Sequence, residues 1–239
     1  MARKKIINVT KAEIVRVATE QFLRKGYTCT TVKAISDMLG ISTGHVTFYY
    51  PTKEHLLAVL VDMLCDFQWK LMEQSGAEGE SQLKGICLEL TAMAAMCEEN
   101  EVAKDFYISA YTHAMTLEII RRNDMERAKS VFMQYRPDWT EMQFAEAEVL
   151  VSGIEYATLM ATADSPPLDV RIGGALYQIM SIYNVPEEMR SQLVEDVLRQ
   201  DYRGIGRRIL KEFIDYIDQV NEQTLDALLE LAKTGKGNH

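Results

Sequence analysis

The feature that most constrains this fold is a pair of short segments with helical spacing, residues 30–39 and 43–49, which are separated by only three residues. A hydroxyl residue at the start of each segment can cap a helix. Gly40 permits a tight turn between them, and Pro51 ends the second helix, because the residue before a proline avoids the helical conformation. Two short helices with so short a connection are typical of a helix-turn-helix.

Helical patterns flank this pair on both sides. Thr10 and Glu13 have the spacing of a capping box, and the helix that they begin ends at Gly26. After the pair, Thr52 caps a long helix that runs to about Gln74, and "SGAEGES" at 75–81 is typical of a linker. The N-terminal domain is therefore predicted to contain three helices preceded by a mobile basic arm over 1–9.

The rest of the chain also predicts helices, since no strand-like alternation is longer than a few residues. Only 5 prolines and 13 glycines interrupt the 239 residues. Helices are expected over 82–98, 101–122, 124–136, 140–163, 168–183 and from 187 to about 231, with an interruption around Gly204 and Gly206. The predicted fold class is all-α, with a small helix-turn-helix domain joined to a larger helical domain and a disordered tail over 234–239.

The charge is distributed unevenly between the two parts. Residues 1–56 carry nine Lys and Arg against four Asp and Glu, whereas the chain as a whole has a formal net charge of -9. A basic N-terminal part on an acidic body predicts that the N-terminal part contacts a polyanion and that the rest does not.

Several other classes of protein are disfavoured. No signal peptide and no transmembrane segment are recognisable, so a cytoplasmic protein without a membrane partner is expected. The four cysteines and four histidines have no metal-binding spacing, and no nucleophile–base pair or phosphate loop indicates an enzyme. We predict no cofactor and no metal. Buried, reduced cysteines are expected, although Cys87 and Cys97 leave a thiol switch open as an alternative.

In a helix-turn-helix the second helix enters the major groove and its first residues approach base edges. The groove is about 12 Å wide, so the leading face of the helix must be slim. The residues expected to reach bases or phosphates from this helix are Ser42, Thr43, Gly44, His45 and Thr47. Lys33 is expected at the backbone or the groove edge, and Tyr49 and Lys53 at phosphates. Phe48 is expected to anchor the helix in the core, and Tyr50 fits either the core or the DNA.

The segment resembles the DNA-binding domain of TetR-family transcriptional regulators. The resemblance rests on Ile14, Ala18, Phe22, Gly26, "TTVKAIS" at 30–36, "LGIS" at 39–42, Gly44, Tyr49, Pro51 and "KEHLL" at 53–57. It implies a homodimer that binds a pseudo-palindromic double-stranded DNA operator, usually as a repressor, and releases it when a small molecule binds. It implies a DNA-binding domain over 1–52 and an effector-binding and dimerisation domain over 53–233, connected by the helix 53–74.

Carried over by position, the resemblance assigns phosphate contacts to Tyr49 and Lys53. It assigns the hydroxyl at the start of the second helix to Thr31, and the base-reading positions to Lys33, Thr43, Gly44 and His45. The family often has a further tyrosine where this chain has Thr47, so a shorter contact is expected there.

Two further sites are predicted in the larger domain. Small residues at four-residue steps between 140 and 163, and again near 173, indicate close helix packing, either across a dimer or inside one subunit. The predicted dimer residues are Val149, Gly153, Ala157, Ala161, Gly173 and Leu176. A small, largely apolar effector is expected among the central helices. The predicted pocket residues are Phe67, Met93, Met96, Tyr107, Tyr111, His113 and Trp139.

Overall fold

The computed structural model describes residues 10–77, 81–220, 223, 225–227 and 230. In that part of the chain it contains eleven α-helices and no β-strand, which confirms the all-α prediction. The basic arm predicted over 1–9 and the tail predicted over 234–239 lie outside the described residues. Within the same part of the chain, none of the helices is both long and apolar enough to cross a bilayer.

The first four helices lie where the sequence predicts them. Their bounds are α1 Lys11–Lys25, α2 Val32–Leu39, α3 Thr43–Tyr49 and α4 Lys53–Ala77. The predicted capping box begins α1, since Thr10 Oγ1 accepts from the Glu13 amide at 3.2 Å and Glu13 Oε2 accepts from the Thr10 amide at 2.8 Å. Gly40 ends α2 with a φ of 66°, in the left-handed region that favours glycine. Helix α4 extends to Ala77, three residues beyond its predicted end.

The larger domain is built around α5. Its helices are α5 Gln82–Glu99, α6 Glu101–Thr112, α7 Ala114–Phe132, α8 Glu141–Leu159, α9 Leu168–Ile182, α10 Glu187–Leu198 and α11 Tyr202–Asp218. Helix α5 packs against α4, α6, α8, α9, α10 and α11, so it is the central helix of this domain.

The single helix predicted over 101–122 is wrong. The chain leaves the helical conformation at His113 and begins a new helix, α7, which continues through the break predicted near residue 123. The buried Thr116 hydroxyl stabilises this bend, because it lies 2.6 Å from the Ala110 carbonyl and 3.0 Å from the His113 carbonyl. Its hydrogen bonding to carbonyl oxygens at the helix end takes the place of the backbone hydrogen bonds that a continuous helix would have made.

Two other helix ends differ from the prediction. The C-terminal interruption lies before Asp201, whose carboxylate caps α11 by accepting from the Gly204 amide at 2.9 Å, so Gly204 and Gly206 lie inside the helix. Helix α8 ends at Leu159 rather than near 163. A side-chain cap determines the start of α11. The glycines that follow it lie at close contacts, because a Cβ on Gly204 would clash with the Asp201 carboxylate and one on Gly206 would lie 3.0 Å from the Ala92 carbonyl oxygen.

The first three helices dock on the larger domain through the loop after α1. Helix α1 packs against both α4 and α6. The Asp105 carboxylate, on α6, accepts hydrogen bonds from the Thr28 amide at 2.8 Å and from the Thr28 hydroxyl. Gly26 begins this loop with a φ of 89°, and a Cβ there would lie 2.6 Å from Asp105 Oδ2. The close approach of the two domains therefore requires glycine at this position.

We expect Gly26→Ala to lower the free energy of unfolding by about 2 kcal/mol, because the new Cβ meets a carboxylate at a backbone angle that alanine rarely adopts. Denaturant unfolding of the full chain measures the change. Gly85→Ala is the matched control, since Gly85 lies inside α5 with nothing near its absent Cβ, and alanine there should stabilise by up to about 1 kcal/mol. Equal stability of Gly26→Ala and the unmodified chain would contradict this account of the loop.

Candidate nucleic-acid interface and ligand cavity

Helix α3 presents a slim face to solvent. Val46 is fully buried and holds the helix on the core of the small domain. Thr43, Gly44 and Thr47 lie on the exposed side, where successive helical turns place them close together. An exposed α-helical face of this size and chemistry is suited to a major groove.

The structure overturns the expected role of Phe48. This ring is 80% exposed and lies on the outward face of α3, where it makes an edge contact with Tyr49 at 5.1 Å. Tyr50 is the aromatic residue that enters the core. The reason is helical period: Tyr50 follows the buried Val46 by four residues, whereas Phe48 follows it by two and points to the other side. Sequence reasoning therefore missed Phe48 as an exposed residue of α3, the helix predicted to enter the major groove and called the reader helix below.

Two of the predicted DNA-contacting hydroxyls also cap helices. Thr31 Oγ1 accepts from the Ala34 amide at 3.1 Å and begins α2. Ser42 Oγ accepts from the His45 amide at 3.2 Å and begins α3. A capping hydroxyl uses an acceptor lone pair and keeps its own proton, so each can still donate to a phosphate oxygen.

Three further predicted DNA-contacting residues lie near this face. Lys33 is on α2, and His45 and Tyr49 are on α3 beside its outward face. Lys33 is exposed and its ammonium lies 2.8 Å from Asp37. Such an exposed pair contributes little to stability, so Lys33 can exchange Asp37 for a phosphate at small cost. His45 and Tyr49 are half-buried, and their rings meet edge to face at 5.6 Å.

Lys53 makes contacts that the sequence did not predict. Its ammonium donates to the Tyr27 carbonyl at 2.9 Å and lies 4.0 Å from the centre of the Tyr27 ring. These contacts use one of the three ammonium protons and fix the loop after α1. Its predicted contact with a phosphate stays a prediction, and a substitution of Lys53 would also disturb that loop.

A cavity lies among helices α4 to α9 of the larger domain. The volume of the cavity is about 60 Å³. One water molecule needs about 10–15 Å³ of such volume, so the cavity has room for a small ligand. Its apolar walls come from residues such as Leu90, Met93, Val151 and Leu176. A mainly apolar cavity of this kind is typical of a site for a small molecule.

One side of the cavity contains a buried ionic network centred on Arg127. This guanidinium donates to both carboxylate oxygens of Glu89 and, at 3.4 Å, to Asp124. Gln68 donates a further hydrogen bond to Glu89. Burial, together with the nearby Glu89, raises the pKa of Asp124 to about 6 against the opposing effect of Arg127. Arg127 is therefore already paired within the protein.

The other side of the cavity contains two glutamates of α8 in contact with tyrosines. Tyr183 donates its hydroxyl proton to Glu148 Oε1, and Tyr111 donates to Glu155 Oε2 at 2.9 Å. Burial raises the pKa of Glu148 to about 8, helped by the negative charge of Asp124. The pKa of Glu155 is also raised well above its usual range by burial and by these neighbouring carboxylates.

Only part of the predicted effector pocket lines this cavity. Met93 and Tyr111 are in its wall. The other five predicted residues lie outside it: Phe67, Met96, Tyr107, His113 and Trp139. These side chains pack elsewhere, as His113 does against the Tyr27 ring at 5.3 Å.

Sequence reasoning missed the carboxyl groups of the cavity. Glu148 follows Phe144 by four residues and precedes Val151 by three, so it falls on the apolar stripe of α8. An acidic residue at a core position of an amphipathic helix is the signal that would have found it, because such a residue is rarely buried without a partner.

Helices α8 and α9 expose an apolar surface. Met142 is 80% exposed, and Val149, Leu150 and Val170 are each more than half exposed. The predicted dimer residues Val149, Gly153 and Ala157 are exposed on this side of α8. Several large apolar side chains exposed on neighbouring helices are typical of a protein–protein interface.

Three of the predicted dimer residues do not face that surface. Leu176 is buried and lines the cavity. A Cβ on Gly173 would lie 3.4 Å from Val194, so this glycine faces α10 within the subunit. Ala161 follows the end of α8, and its carbonyl accepts from Lys104 at 3.2 Å. Leu176 and Gly173 therefore pack inside the subunit, and the place of Ala161 in a dimer stays a prediction.

The cysteines do not form the thiol switch that the sequence left open. Cys87 and Cys97 are buried ten residues apart on α5, which separates them by about 15 Å along the helix axis. A disulfide requires Cα atoms closer than about 7 Å. Burial also raises the pKa of each thiol to about 12, so neither is a reactive thiolate near neutral pH.

Comparison with known proteins agrees with the helix-turn-helix assignment. Residues 14–60 match the model of "Bacterial regulatory proteins, tetR family". Among curated proteins there is no significant match. Two solved structures, each described as a crystal structure of gamma-butyrolactone receptor (ArpA-like protein), are similar at 17% and 18% identity. Each alignment covers 84% of this chain and 96% of the other, with TM-scores of 0.43 and 0.40.

We expect Phe48→Ala to weaken binding to operator DNA by roughly tenfold or more, because an exposed ring on the reader helix loses apolar contact with thymine methyl groups and sugars. Its free energy of unfolding should change by less than about 0.5 kcal/mol. Fluorescence anisotropy on a duplex selected for binding measures the affinity. The matched control is Met133→Ala, another exposed apolar side chain, which should leave affinity unchanged. A loss of stability without a loss of affinity would contradict the assignment.

The raised pKa of Glu148 predicts a pH dependence of stability. Glu148 stays protonated in the folded chain at pH values where it ionises in the unfolded chain, so stability falls as the pH rises from its ordinary pKa through about 8. We expect Glu148→Gln to reduce the loss of unfolding free energy between about pH 5 and pH 8 by more than 1 kcal/mol or so. The control Glu118→Gln, at an exposed site on α7, should leave the pH profile unchanged.

Proposed function

We propose that this chain, which is a DNA-binding regulator of the tetR family of bacterial regulatory proteins, represses transcription as a homodimer on a twofold-symmetric operator. A small molecule bound among α4 to α9 would release it from the DNA. The observation that carries the proposal is the exposed face of α3, which combines the small residues Thr43, Gly44 and Thr47 with the Phe48 ring and belongs to the positively charged end of an otherwise acidic chain.

The reading of DNA is supported by the arrangement around that face. Thr43, Gly44 and Thr47 are small enough to approach base edges, and Phe48 adds an apolar contact beside them. Lys33 and the capping hydroxyls surround this face with donors suited to phosphates, which fix the position of the helix in the groove.

The homodimer is supported by the apolar surface of α8 and α9. Met142, Val149, Leu150 and Val170 would all be buried if two copies packed these helices together about a twofold axis. Gly153 adds a place where the helices can approach closely, since nothing lies near its absent Cβ. A twofold axis between two reader helices is the geometry that a palindromic operator requires.

Helix α6 contacts both the cavity and the small domain. Near the C-terminal end of this helix Tyr111 lines the cavity, and earlier on the same helix Asp105 holds the Thr28 loop of the small domain. His113, which follows the helix, packs against Tyr27. A ligand that displaces α6 would therefore move the loop on which the reader helix depends.

Selection of bound sequences from a random duplex pool tests the proposed function. We expect enrichment of a site with two symmetry-related halves, and binding that weakens with salt at a log–log slope of about -0.9 per phosphate contact. Thr43→Glu should abolish the enrichment by placing a carboxylate on the reader face, and the exposed control Ser191→Glu should retain it. Enrichment of a single half-site would contradict the dimer, and no enrichment would contradict the assignment of the reader helix.

A further inference from the structure

The cavity carries more negative than positive groups. In the described part of the chain its wall contains four carboxyl side chains, Glu89, Asp124, Glu148 and Glu155, and one guanidinium, Arg127. Arg127 already pairs with Glu89 and Asp124. The two glutamates of α8 are therefore left without a basic partner in the wall.

Glu148 has an oxygen that no described residue satisfies. The residue is only 2% exposed, and Oε1 accepts from Tyr183. The second oxygen, Oε2, is buried without a hydrogen-bond partner, although Glu148 lines the cavity. A buried carboxyl oxygen without a donor costs free energy, and a donor supplied by a ligand would remove that cost.

Aromatic side chains surround the same end of the cavity. Tyr183 and Phe132 stack with their ring centres 4.0 Å apart, and both line the wall together with Tyr111. The face of an aromatic ring attracts a cation and also accepts the apolar body that carries it. Carboxyl groups beside aromatic rings and aliphatic walls favour a ligand with one positive end and an apolar remainder.

We propose that the cavity binds an organic cation, an amine or amidine carried on an apolar body, with its charged end against Glu148 and Glu155. Binding of the cation does not depend on the proposed function. Its effect on DNA does, because that effect rests on the proposed release of DNA by a ligand. This ligand adds one positive charge to the small, largely apolar effector that the sequence predicted.

Without a ligand, the raised pKa values of Glu148 and Glu155 favour their protonated, uncharged forms. Besides Glu148 and Glu155 on α8, the titratable and charged groups that face this end are Glu89 on α5, Tyr111 on α6, Arg121, Asp124 and Arg127 on α7, and Tyr183 after α9. Arg121 is held by Ser152, where its Nε donates to the hydroxyl at 2.9 Å, and it only partly offsets the raised pKa of Glu148. A bound cation favours the ionised carboxylates, so binding releases protons and strengthens as the pH rises.

Isothermal titration of the full-length protein with matched probes tests this proposal. Benzamidinium and its neutral isostere benzamide form one pair, and n-butylammonium and n-butanol form a slimmer pair. We expect at least one cation to bind about tenfold or more tightly than its neutral partner, since a charged hydrogen bond in a desolvated site is worth roughly 1.5–3 kcal/mol. Its affinity should rise between about pH 6 and pH 8, with a heat that depends on the ionisation enthalpy of the buffer because protons are released.

Glu148→Gln identifies the group responsible. This variant keeps the shape of the side chain and should lose the preference for the cation together with most of the proton release, while binding of the neutral probe stays the same. Glu118→Gln, on the exposed side of α7, should retain both. The cation proposal is overturned if neither cation binds better than its neutral partner, or if Glu148→Gln keeps the preference and the proton release.

Release of DNA is measured separately so that the two proposals can fail independently. Anisotropy of a selected duplex, titrated with the cation that binds, should show loss of the complex. Cation binding without DNA release would support the cavity assignment and contradict ligand-controlled repression. DNA binding by the chain together with failure of both cations would overturn the cation proposal and leave the reader helix unaffected.

Discussion

The two parts of the molecule depend on the packing of one buried side chain, Tyr27. Its ring meets Phe22 of α1 at 5.2 Å, His113 of the larger domain at 5.3 Å, and the Lys53 ammonium at 4.0 Å. The adjoining Thr28 is held by Asp105. Because α1, α4 and the end of α6 converge on this ring, the small domain has one defined position on the larger one, and a change in α6 is transmitted through direct contacts.

The larger domain contains an unfavourable feature at its centre. Burying carboxyl groups costs free energy, and the chain offsets only part of this cost with Arg127. For Glu148 the remainder is met by protonation, which the raised pKa reflects. A core of aliphatic side chains would be more stable. Retaining acids in an otherwise apolar cavity therefore points to recognition, since functional sites are where such costs are maintained.

The sequence predicts the reader domain well because its determinants are local. A capping box, a glycine turn and a proline within about 45 residues determine α1 to α3, and each acts on its neighbours in the chain. The error at Phe48 arose from treating an aromatic residue as core, although its spacing from Val46 places it on the opposite side of the helix. The bend at His113 was missed because it depends on the hydroxyl of Thr116 bonding backwards to a carbonyl.

The cavity was harder to predict because no local segment contains it. Six helices, α4 to α9, contribute between one and five side chains each, and tertiary packing decides which of their faces meet. The aromatic and methionine residues that seemed suited to a pocket mostly fill the surrounding core, where they also satisfy helical periodicity. The acids of α8 carried the better signal, since their position on an apolar stripe conflicts with their charge.

A ligand changes the affinity for DNA only if it interacts differently with the DNA-bound and released conformations. The hydrogen bond from Tyr111 to Glu155 joins α6 to α8 across the cavity, so a cation that competes for Glu155 acts directly on α6. Asp105 lies six residues earlier on the same helix, about 9 Å along its axis, and a helix transmits displacement over that distance with little loss. Tyr111, which donates to the Glu155 proposed to bind the cation, and Asp105, which holds the Thr28 loop, therefore lie on one helix, and no longer pathway is needed to couple them.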